Sequence, residues 1–152
     1  MGSQYSGDRA SITPSTGVAN WVLETASGNS CLVKEVSWGG ESTTSTAMRS
    51  RIARDSVVGT GSRTAGNTQK RDQHSPANAT FFSTTYATLQ PSIYAGALFG
   101  TSWNSHGGVI RWLAAPGEEF NIYDAGATTA SLECRQDVGV GTSSYNVIWE
   151  DA

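Results

Sequence analysis

The chain has 152 residues, a formal net charge of −3 and only 15% charged residues. That length suits one domain able to bury roughly two-thirds of its unfolded surface, so stability requires neither a metal nor a disulfide. Two lysines, Lys34 and Lys70, and eight scattered arginines argue against nonspecific nucleic-acid binding, which needs clustered cations. No apolar run reaches the roughly 18 residues of a membrane-spanning helix, so no membrane partner is expected.

Polarity comes from small uncharged side chains: 20 Ser, 17 Thr and 17 Gly. Ser and Thr compete for backbone hydrogen bonds and Gly costs entropy in a helix, so this mixture favours strands and turns. Residues 1–8 are polar and Gly/Ser-rich and read as a flexible N-terminal arm, with 9–152 as a single β-sandwich domain. Strand signals then follow one another. Arg9–Thr13 stops at Pro14, and Val18–Ala26 (VANWVLETA) leads through Ser27-Gly28-Asn29 into Cys31–Trp38, which Gly39-Gly40 closes. Ala47–Asp55 (AMRSRIARD) alternates between two faces. Residues 59–78 contain almost no large apolar side chain and read as a long polar loop, able to meet a partner. Strands resume at Thr80–Leu89, Ser92–Trp103, Val109–Ala114, Glu119–Asp124, Thr128–Arg135 and Tyr145–Trp149, with Pro116-Gly117 a clear turn. The expectation is an all-β antiparallel sandwich or jelly roll of about eight strands.

Catalytic motifs are missing. His74 and His106 stand alone, with no HxH, HxxxH or HExxH spacing, and no CxxC joins Cys31 or Cys134. The two cysteines read as buried thiols, or as a disulfide if the compartment is oxidising. No G-x-S-x-G elbow occurs. The adjacent acids Glu118 and Glu119 would point to opposite faces of a strand. The glycine-rich run from Gly59 to Gly66 lacks both the Lys-Ser/Thr ending and the helix of a phosphate loop. The chain therefore reads as a non-enzyme without a cofactor or metal. Trp21, Trp112 and Trp149 alternate within strands and are expected in the core. Trp38 and Trp103, beside glycines at strand ends, suit either core or surface, and Trp103-Asn104 with His106 offers a possible sugar platform.

NWVLETASGNSCLVKEVSWGG, AMRSRIARD before the polar excursion, Phe99-Gly-Thr-Ser-Trp103 before Gly107-Gly108, Pro116-Gly117-Glu118-Glu119-Phe120 and the terminal VIWED occur in this order. Over about residues 18–150 the chain resembles the jelly-roll capsid decoration (cement) proteins of tailed bacteriophages. The resemblance is one of pattern and order. It implies a homotrimer on the outer surface of an icosahedral virion, bridging major capsid subunits. Tyr5, Arg9, Arg49, Arg51, Arg63, Arg71 and Trp103 are the candidate interface residues, the arginines suited to pairing with acidic capsid groups. The alternative is a carbohydrate- or receptor-binding β-sandwich domain of a phage tail or fibre, with a glycan as partner.

Overall fold

A computed structural model describes residues 2–16, 18–25, 28–57, 62–74, 76, 80–86, 92–93, 96–123 and 131–151. The described chain is all-β, two antiparallel sheets packed face to face. In the first sheet the order is β10 (Val109–Leu113), β3 (Ser30–Gly40), β13 (Ser143–Asp151), β1 (Ser3–Ile12) and β6 (Asn67–Lys70). A further strand, β11 (Phe120–Tyr123), pairs with the other half of β3. The second sheet runs β5 (Arg63–Ala65), β7 (Thr80–Tyr86), β2 (Ala19–Thr25), β12 (Ser131–Val138), β4 (Ala47–Val57) and β8 (Ser92–Ile93), and β9 (Phe99–Asn104) also pairs with β4.

Period-2 alternation sets the core. Cross-strand register puts Tyr5, Trp149, Val33 and Phe120 in one inward row of the first sheet, then Gly7, Val147, Val36 and Trp112, then Arg9, Tyr145, Trp38 and Ile110. Opposite them the second sheet contributes Phe82, Leu23 and Leu132, then Trp21, Cys134, Ile52 and Phe99. The centre is aromatic. The Trp149 ring lies 6.0 Å from Tyr5 and 6.3 Å from Phe82, and Phe82 lies 6.2 Å from Trp21, spacings suited to offset stacking.

The structure departs from the sequence reading at the N-terminus. Residues 3–8, expected as an arm, are the first half of β1, paired on one side with β13 and on the other with β6. Tyr5 explains this: its ring is 1% exposed in the core and its hydroxyl donates to the Pro76 carbonyl at 2.9 Å. A segment that buries an aromatic ring and fills two ladders is anchored. The polar stretch 59–78 holds, in its described part, two short edge strands, β5 in the second sheet and β6 in the first. Ser92–Trp103, expected as strand broken by Gly96 and Gly100, holds β8 and β9, and Gly100 lies within β9.

Gly66, between β5 and β6, carries the crossover. A Cβ there would stand 2.3 Å from the Phe82 ring, and one at Gly7 2.8 Å from the same ring. The Gly66 N–H also donates to the Phe82 carbonyl at 2.9 Å. Gly66→Ala should therefore destabilise by about 1–3 kcal/mol, the usual range for overpacking. In urea denaturation Gly66→Ala/Phe82→Leu should lose less than the sum of its single variants; strict additivity would rule out the contact.

Both cysteines are free and fully buried, Cys31 on β3 and Cys134 on β12, and burial pushes both thiols up from their ordinary range. Thiolate is the reactive form. Under native conditions a thiol reagent such as Ellman's should label neither cysteine on the timescale on which it labels both in denaturant; fast native labelling of either would contradict this placement.

Candidate functional site

The candidate interface residues do not form one patch. Tyr5 and Trp103 lie in the core, Trp103 9% exposed with its indole N–H donating to Ser50 Oγ at 3.0 Å, so neither ring is a surface anchor. Arg9 is also committed inward: its Nη1 donates to the Asn20 carbonyl and, at 2.9 Å, to the Thr84 carbonyl. Arg49 is exposed on the outward face of β4 opposite Ser102, and Arg51, one row along, pairs with Asp137 at 2.8 Å. Arg71 is exposed just beyond β6, its N–H donating to the Gln4 carbonyl. Arg63 is on β5, and its side chain lies outside the described residues. Of the tryptophans, Trp21, Trp38 and Trp149 are fully buried. Trp112, expected in the core, is half-buried at the rim, because β10 is an edge strand; it stacks on Phe120 at 4.0 Å. No sugar platform forms at Trp103-Asn104: the ring is inside, and His106 Nδ1 lies 2.9 Å from the Ser42 carbonyl oxygen.

Two features were not anticipated. The first is the edge formed by β10 and β11. Both strands pair with β3 on one side, and no described strand pairs with the other. Three of their five outward side chains are large and apolar, with Val109 76%, Leu113 61% and Tyr123 62% exposed beside Arg111 and Asn121. Between Val109 and Leu113, Arg111 is neutralised: its Nε and Nη2 donate to the two Glu35 carboxylate oxygens, each at 2.7 Å. The opposite edge of the same sheet, β6, ends in Lys70 and is followed by Arg71. Charged edges resist strand addition; β10 has no lysine or proline to do so.

The second feature is a carboxylate cluster on the outward side of the second sheet. That side is also buried: all seven residues of β2 are, together with Ala53, Ser83, Ser131 and Glu133. Register sets Glu24 opposite Ser131, whose hydroxyl donates to Asp55, and sets Glu133 between Val22 and Ala53. Arg135 Nε lies 2.5 Å from Glu133 Oε1. Burial raises Glu24 to about 7, with Asp55 adding repulsion. Burial also raises Asp55 and Glu133, and the Arg135 guanidinium opposes the rise in both. Among the described residues no group of three or more His, Cys, Asp or Glu has the geometry of a metal site.

Proton linkage gives this cluster a sign. Its folded-state pKa values lie above the unfolded ones, so its contribution to stability is fully present below the ordinary carboxylate range and declines as pH rises toward the raised values. The carboxylates held low by partners, Glu35, Glu41 and Glu119, titrate beneath this window. Stability in urea should thus fall by about 1–2 kcal/mol from about pH 5.5 to about pH 8. Glu133→Gln should flatten that slope and raise stability at the alkaline end; an unchanged slope would dismiss the cluster as its source. No protein-family model, curated protein or solved structure matches the chain.

Proposed function

We propose that the chain is a non-enzymatic structural protein of a virion, a decoration protein that assembles as a homotrimer on the outer capsid surface and bridges major capsid subunits. The observation that carries this reading is the edge of β10 and β11, with Val109, Leu113 and Tyr123 exposed outward and the one guanidinium among them, Arg111, paired with Glu35. Soluble proteins blunt exposed edges unless something covers them, so an unguarded one fits a chain that works assembled. A cyclic trimer joins such an edge to a second, different patch on the next copy, and closure of the ring leaves no edge exposed.

The sandwich suits the mechanical part of that role. Two sheets locked by an aromatic core form a stiff plate, able to carry load between the subunits it bridges. A surface of Ser, Thr and Gly approaches a neighbouring protein with little charge to desolvate. Arg49 and Arg71, both exposed, remain available for acidic groups on the shell, and several weak contacts repeated by symmetry gain strength through avidity.

Light scattering of the purified protein across concentration tests the reading. The expected mass is three times 16.0 kDa. Leu113→Lys/Tyr123→Lys, which places two charges on the edge, should return the folded protein to monomer. A monomer at every concentration, or a trimer indifferent to those substitutions, counts against the proposal.

A further inference from the structure

The outward face of the first sheet carries a groove of about 560 Å³, a size within the usual range of small-ligand sites. It crosses four neighbouring strands, β1, β13, β3 and β10, a span of roughly 14 Å at about 4.8 Å per strand. Register fixes its chemistry. Asp8 stands opposite Asn146, Asn146 opposite Ser37, and Ser37 opposite Arg111. The next row holds Ser144, Gly39 and Val109. Gly39 puts no side chain into the space. Gly107 and Gly108, with φ of 86° and 89°, make the left-handed turn that brings the Gly108 carbonyl to 3.3 Å from where a Cβ of residue 39 would be.

The polar groups here are unspent. Among the described residues no hydrogen bond or ion pair engages the side chains of Asp8, Ser37 or Asn146, although the three are half-buried neighbours in one row. By contrast Ser144 donates to Glu41, and Arg111 is held by Glu35. A ligand would therefore meet a carboxylate acceptor, an amide that both donates and accepts, a hydroxyl that does the same, and a glycine-and-valine surface. Asp8 and Glu41 make the groove negative, and its neighbouring guanidinium is already paired, which disfavours anions.

We propose that this groove binds a neutral sugar unit. Ring hydroxyls are both donors and acceptors and so complement the Asp8–Asn146–Ser37 row, while the flat backbone at Gly39 and Gly108 with the Val109 side chain receives the apolar face of the ring. The groove shares Val109 with the edge assigned to assembly and uses neither Leu113 nor Tyr123.

The test is an amide-shift titration of the whole ¹⁵N-labelled protein with galactose, glucose, N-acetylglucosamine and N-acetylneuraminic acid, each alone. At least one neutral sugar should give saturable shifts centred on Ser37, Gly39, Gly108 and Asn146. Asp8→Asn and Asn146→Ala should each weaken it about tenfold, the loss of one strong hydrogen bond. Ser37→Trp, which fills the groove from an outward position, should abolish it while the spectrum stays dispersed. No saturable shift with any neutral sugar, the same shifts surviving in Ser37→Trp, or saturation by N-acetylneuraminic acid alone would overturn the proposal.

Discussion

One ring holds the two sheets in their relation. Phe82 of β7 reaches inward from the second sheet and packs against Trp149 of the first and Trp21 of its own. Two backbone segments press on it where no side chain can stand, at Gly7 of β1 and at Gly66 between β5 and β6. Close approach of main chain to an aromatic face demands glycine at both points. Because Gly66 sits against the ring, the chain can leave the second sheet at β5 and enter the first at β6 within a single residue. That crossover ties the two sheets together along one side of the sandwich.

On the opposite side the tie is longer, the four residues 105–108 that join β9 of the second sheet to β10 of the first. There β9 and β10, consecutive strands, edge different sheets, and the space between is filled by rings: half-buried Phe99 against the buried Trp38, and half-buried Trp112 on Phe120. The asymmetry is physical. A side closed by a short covalent crossover and capped with Lys70 and Arg71 is finished, whereas a side whose outward residues are Val109, Leu113 and Tyr123 is stabilised further by being covered. Burying a Val or Leu side chain is worth about 1.5–3 kcal/mol, so even a small contact there competes with the entropy of association once symmetry repeats it.

Much of this was legible in the sequence. Strand alternation in NWVLET, SCLVKEVSW and YNVIW, punctuated by Gly and Pro, is a local signal, and it located β2, β3 and β13 to within two residues at each end. What failed depended on contacts distant in the chain. Ser3–Asp8 has the composition of an arm; it is a strand because Tyr5 meets Trp149, 144 positions away by number. The polar stretch holds β5 and β6 because Phe82 lies ahead of it, not because of anything in its own pattern. Trp103, beside glycines at a strand end, suits either core or surface by sequence, and only register decides. The carboxylate cluster was invisible for the same reason: Glu24, Asp55 and Glu133 come from three strands that meet only when β12 pairs with both β2 and β4.

The two sheets therefore face different problems. The second is buried on both sides around β2 and β12, and the outward polar residues there, Glu24, Asp55 and Glu133, must be neutralised where they are, by protons, by Ser131 and by Arg135. The first leaves its outward side half-open, so Asp8, Ser37 and Asn146 stand half-buried without a side-chain partner among the described residues. Polar groups on a rigid sheet do not relax toward one another as loop residues would, because each is fixed at strand spacing by the ladder beneath it. A row held apart in this way is already arranged for a ligand whose own groups recur at a few ångströms, and it loses little entropy in meeting one.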